Sequence, residues 1–176
     1  MKILEFPELI QNCEYDCGAK ALQAVLAYYG IDVEESVVLR AVGTTKKSGT
    51  PIKGIENTLK NYGLKYKSGS MNLKDIKCFI DKKIPVILLV QAWTEKRHVD
   101  WEKDWNDGHF VVAIGYDKKR VYFEDPFSFE RTFLSYDELN DRWHGVDDKG
   151  VREVRHGIAV FGRKPLFSLK RKVHMS

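Results

Sequence analysis

The hydrophobic pattern of the chain changes character near position 63. Before it, apolar residues recur at helical spacing. Ala21, Leu22, Val25, Leu26 and Tyr29 mark one face of a helix expected from about Cys17 to Tyr29, with Asp16 as its cap and Gly30 as its stop. Asp32 and Glu35 have capping-box spacing and predict a second helix through about Val42, ended by Gly43. Thr50 as N-cap and Pro51 at the first helical position predict a third helix to Tyr62, stopped by Gly63. Residues 3–10, ahead of these helices, read as a short extended lead-in broken by Pro7.

After position 63 the periods become those of strands. Residues 64–67 predict a short strand, and Asn72 caps a helix to about Asp81. The run 84–90 is apolar throughout and of strand length, as expected of a buried central strand. Residues 110–116 and 120–124 read as a hairpin around Asp117, Lys118 and Lys119. Ser135 and Glu138 form a capping box that opens a helix through about Trp143, and residues 156–162 form a last strand. Between these elements lies a polar stretch, 93–108, carrying Trp93, Trp101 and Trp105. A loop of that length in a compact domain is usually functional or mobile. Its tryptophans either wall a cleft or pack the loop down, and packing is the commoner fate.

Composition narrows the class. At 176 residues, 43% hydrophobic and 31% charged, the chain suits one soluble domain over 1–165, with a basic tail over 166–176. The net charge of +4 is mild, and no basic stripe interleaved with aromatics speaks for nucleic acid. No run approaches the ~20 apolar residues of a membrane-spanning helix, so stable membrane insertion is not expected. The N-terminus is too short and too charged for a signal peptide. Cys13, Cys17 and Cys78 are odd in number and badly spaced for a disulfide framework, which favours a reducing, cytoplasmic setting. Cys13 and Cys17 lack the paired histidine or second cysteine pair of a zinc site, so no metal or cofactor is implied.

The candidate chemistry begins at Cys17. A lone cysteine near a helix start is usually a small buried hydrophobe. Three features of its surroundings change that reading. The helix dipole favours thiolate over thiol there, and Gly18 and Ala19 leave room beside the sulfur. Gln11, six residues upstream, is placed to donate its amide to an oxyanion. Far downstream, His109 opens the hairpin and Asp125 closes it. If the turn has three residues, Asp125 lies opposite Val111 and shares a face with His109; a two-residue turn would put it on the other face. Cys17 would then be nucleophile, His109 base and Asp125 its orienter, with Gln11 and the Cys17 N–H holding the oxyanion at roughly 2.7–4 kcal/mol per donor. Other candidate bases are less well placed. His98 lies in the polar loop, His174 in the tail and His144 after a helix, and His156 opens a strand with no matching carboxylate in view.

These residues carry a resemblance. Gln11, Asp16-Cys17-Gly18, Tyr29-Gly30, His109 to Val112, Gly115-Tyr116-Asp117, Val121-Tyr122 and Asp125-Pro126 together resemble the bacteriocin-processing (double-glycine) peptidases. These are papain-like cysteine peptidases, often the N-terminal domain of peptide-exporting ABC transporters. The likeness runs from Gln11 to about Val160. It implies an α+β, papain-like fold, a helical layer carrying Cys17 packed on an antiparallel sheet carrying His109 and Asp125. It also implies a peptide or protein substrate, with any transporter partner a separate chain. A peptide-binding module that only binds, and an acyltransferase using the same thioester, are the competing readings. The presence of all four candidate residues argues against the first, and nothing in the residues separates transfer from hydrolysis.

Overall fold

A computed structural model describes residues 1–172, 174 and 175; positions 173 and 176 of the expected tail lie outside the described residues. The chain enters through β1 (Lys2–Ile3) and a long irregular segment, followed by three helices: α1 (Cys17–Tyr28), α2 (Glu35–Val42) and α3 (Ile52–Asn61). Then come β2 (Lys65–Ser70), α4 (Leu73–Asp81), β3 (Val86–Gln91), β4 (Gly108–Tyr116), β5 (Arg120–Glu124), β6 (Thr132–Ser135) and α5 (Tyr136–Arg142). A small hairpin, β7 (His144–Val146) with β8 (Arg152–Val154), precedes β9 (His156–Phe161). The main sheet is antiparallel, in the order β2-β9-β3-β4-β5-β6, with β1 pairing off that path onto β4.

Both faces of the sheet are covered. Leu22, Leu26, Tyr29, Ile55 and Leu59 of the first helices pack on Ile87, Leu89, Val112, Ile114, Ile158 and Val160. Ile76 and Ile80 of α4, with Leu139 of α5, pack on Val86, Leu88, Val90, Val111 and Ala113 from the other side. Alternate residues of β3 therefore enter different cores, which is why its residues 86–90 are all apolar instead of alternating. The expected single helical layer is thus joined by α4 and α5 on the opposite face.

Three expected caps turn out to be used elsewhere. Asp16 precedes α1 but makes no side-chain cap; its buried carboxylate accepts the N–H groups of Asn12 and Cys13 and orders the loop before the helix. Thr50 takes over that duty from a distance, its Oγ1 accepting the Ala19 N–H at 3.1 Å, so Pro51 becomes the N-cap residue of α3. Glu35 pairs with Lys20 and accepts from Asn12, which leaves α2 without a capping box. Where the side chain stays local the cap forms as expected: Ser135 and Glu138 make the box at α5, and Asn72 caps α4, with Asp75 completing a box there too.

The hairpin reaches its expected pairing by another route. Tyr116 pairs with Val121, so the connection is one residue longer than the three-residue turn. A bulge between Ala113 and Gly115 then absorbs the extra residue, and beyond it Val112 faces Glu124. The ladder ends there, and Asp125, the next residue, turns its carboxylate to His109 as the expected register required.

Candidate active site

Cys17 is the first residue of α1 and only 8% exposed. As a first-turn residue it has no carbonyl one turn earlier to bond, so its N–H is free to serve a ligand. Gly18 explains how a strand residue comes so close. A Cβ there would lie 2.6 Å from the Thr50 Cβ and 2.8 Å from the Phe110 ring, so α1 touches β4 through the residue next to the sulfur. The space beside the cysteine is therefore filled rather than open, and filled by the neighbour of His109.

His109 and Asp125 are both buried, and the His109 Nε2 lies 2.7 Å from Asp125 Oδ1. An ionised carboxylate only accepts, so Nε2 carries the hydrogen and Nδ1 is left for the Cys17 sulfur. Burial opposes the charged ring and is the largest single influence on it. The Asp125 hydrogen bond and the adjacent Cys17 sulfur together outweigh burial and push the His109 pKa up to about 9. The ring therefore holds its second proton at neutral pH. Burial alone would likewise raise Asp125, but the His109 bond and charge, the Phe127 N–H and the Trp93 indole hold it below the usual carboxylate range.

Asp125 accepts from four donors: His109, the Phe127 N–H at 3.0 Å, the Trp93 indole at 3.0 Å and the Thr132 hydroxyl at 3.2 Å. Trp93 sits at φ 60°, a region that costs a non-glycine residue energy. Its ring packs on Phe127 with centroids 4.8 Å apart, and Phe127 meets His109 edge-on at 6.5 Å. Both aromatics are about half exposed, at 49% and 51%. Trp93 thus takes the cleft-wall alternative offered for the loop tryptophans, and Phe127 is a residue beside His109 that the sequence reading did not single out. The aspartate–proline–phenylalanine sequence after a strand was the one visible hint of Phe127.

Gln11 faces the same groove as His109 and Phe127. Its Nε2 donates to the Cys13 carbonyl at 3.0 Å, which fixes the amide plane and leaves one N–H of that nitrogen uncommitted. A groove of about 520 Å³ runs past Gln11, Trp93, His109 and Phe127, and another of about 350 Å³ past Cys17, Gly49, Trp105, Gly108 and Phe110.

The remaining tryptophans of the 93–108 loop are packed. Trp101 lies under the Arg142 guanidinium at 4.1 Å, and Trp105 lies between the His144 ring at 4.3 Å and Arg152 at 4.5 Å. His144 is held by the Trp101 and Asp141 carbonyls. His156 does have a carboxylate: its Nδ1 is 3.1 Å from Glu153 and its Nε2 3.1 Å from Ser68. Glu153 lies three residues earlier across a tight bend, and among the described residues no cysteine joins that group.

The family model described as the peptidase C39 family matches residues 5–147. No curated protein matches the sequence. Among solved structures, the chain is similar to a double glycine motif protease from an AMS/PCAT transporter in complex with the leader peptide. There the identity is 23%, the TM-score 0.65, and the alignment covers 94% of this chain and 95% of that one. It is also similar to the peptidase domain of Streptococcus ComA, a bi-functional ABC transporter involved in a quorum sensing pathway, at 21% identity and TM-score 0.67, covering 90% and 98%. A C39-like peptidase from Bacillus anthracis aligns at 18% identity and TM-score 0.68, covering 92% and 98%. At these identities the likeness is one of fold.

Proposed function

Since the chain belongs to the peptidase C39 family, a family of cysteine peptidases, we propose that it hydrolyses a peptide bond through a thioester on Cys17. The observation that carries the reading is the 2.7 Å His109–Asp125 bond beside the first residue of α1. In this mechanism the proton of the Cys17 thiol rests on His109, and the thiolate sulfur attacks the carbonyl carbon. Gln11 Nε2 and the Cys17 N–H hold the resulting oxyanion. As the C–N bond breaks, imidazolium His109 returns a proton to the leaving amine. Water, deprotonated by the same ring, then splits the thioester and frees the sulfur. Asp125 keeps the ring aimed throughout and stabilises its charged form each time it carries the second proton.

A leader-type peptide ending in two glycines is the proposed substrate. Support comes from the fold shared with a double glycine motif protease bound to a leader peptide. Relatives of that fold belong to transporters, so a separate transporter is the proposed partner. A reducing, cytoplasmic setting suits Cys13, Cys17 and Cys78, all of which are free. The test is release of aminomethylcoumarin from peptides that end in Gly-Gly before the dye. The parent should turn over and Cys17→Ala should not. Binding of such peptides by the parent without any turnover would contradict hydrolysis and favour a binding module.

A further inference from the structure

Asp125 is flanked by two residues that reach the other half of the proposed chemistry. Its predecessor Glu124, 3% exposed, ends β5. One carboxylate oxygen accepts the Leu9 N–H at 2.8 Å, and the other pairs with Arg131. Arg131 also donates to the Phe6 carbonyl, and its Nη2 lies 3.3 Å from Glu8. The successor, Pro126, gives its carbonyl to the Gln11 N–H at 2.8 Å. Three consecutive residues thus hold Leu9, His109 and Gln11 in turn.

The segment between β1 and α1 has no helix or strand of its own. Its 6–11 stretch is tied to the rest of the fold by these bonds and by Phe6, which is buried and stacked on Tyr28 at 4.9 Å, while Asn12 and Cys13 are held by Asp16. A buried ion pair is a weak source of net stability, because desolvation offsets the attraction. We infer that Glu124 and Arg131 are positioning residues for the oxyanion donor: they set the height of the 6–11 segment and so the aim of Gln11 Nε2. The inference rests on Gln11 acting as that donor. The oxyanion exists only after attack, so loss of aim should lower kcat and leave KM nearly unchanged.

The experiment is a double-mutant cycle on a Gly-Gly-aminomethylcoumarin peptide. Glu124→Ala should lower kcat about 10- to 100-fold, with KM and the rate of Cys17 alkylation by iodoacetamide unchanged. Glu124→Gln, which keeps an acceptor for the Leu9 N–H, should recover part of the loss. In a Gln11→Ala background, Glu124→Ala should cost nothing further, because the group it aims is gone. An equal loss in that background, or a matching loss of alkylation rate, would overturn the inference and leave the pair a purely structural one. If Glu124→Ala does not fold, Arg131→Lys runs the same cycle, since an ammonium cannot hold carboxylate and carbonyl in one fork. Activity that survives Cys17→Ala would instead overturn the thiol chemistry on which the inference rests.

Discussion

Four donors converge on one carboxylate, and that residue sets the character of the site. Against burial, Asp125 and the Cys17 sulfur together hold the His109 pKa up at about 9, so Asp125→Asn should pull the alkaline limb of kcat/KM down toward the ordinary ~6.5 of histidine. It should also lower kcat by about 100-fold or more, as orientation and charge are lost together. The same shifts govern stability. A histidine whose pKa is raised on folding stabilises fully below about 6.5 and loses that contribution as pH rises through about 9. Asp125, held low, contributes above about 4 and loses it on further acidification. The melting-temperature difference between parent and Asp125→Asn should therefore be widest between about pH 4 and 6.5 and shrink on either side. Trp93→Phe keeps the stack on Phe127 and removes one donor to Asp125; kcat/KM should fall about tenfold. The meeting of His109 and Asp125 was legible in the sequence because each sits at a strand end, as Cys17 sits at a helix start; Gln11 was proposed only from its spacing to Cys17. The bonds of Trp93 and Thr132 to Asp125 were not, because they depend on loop paths that no local pattern encodes. The carboxylate of His156 was overlooked for a similar reason: Glu153 reaches it only through the sharp bend at Arg155, where φ is 54°.

At the scale of elements, the site depends on how α1, β4 and β5 meet. The Asp125 pairing was expected from a three-residue turn and arises from a longer turn corrected by a bulge. Alternation of faces enforces the outcome, since Val111 and Phe123 must both stay in the inner core. The helices were legible in extent, as were the caps of α4 and α5; those of α1, α2 and α3 were not, because Asp16 turns back to Asn12 and Cys13 while Glu35 and Thr50 bond to α1. Strands β1, β6, β7 and β8 were missed; at two to four residues each they carry too little alternation to read. Gly18→Ala tests the contact between α1 and β4. Its methyl would press on the Thr50 Cβ and the Phe110 ring, neither a flexible chain end. The cost should be about 1–3 kcal/mol, seen as a melting temperature several degrees lower. Activity should fall too, because Phe110 adjoins His109; a fully active and equally stable variant would show that the close approach is not needed.

For the whole molecule, a sheet buried on both faces brings His109 and Asp125, at strand ends, to the first residue of a helix. The family was legible because its motifs fall at these junctions, and the match over residues 5–147 agrees with that reading. The second layer of α4 and α5 was less so, since an apolar strand shows that both faces are covered but not by what. The most direct measurement is of the Cys17–His109 pair itself. In a background of Cys13→Ser and Cys78→Ser, alkylation of Cys17 by iodoacetamide is followed by intact mass across pH, with and without His109→Ala. Fast alkylation at about pH 7 that slows about tenfold or more in the histidine variant is the predicted result. Equal rates in the two proteins would contradict the pair, and with it the peptidase mechanism.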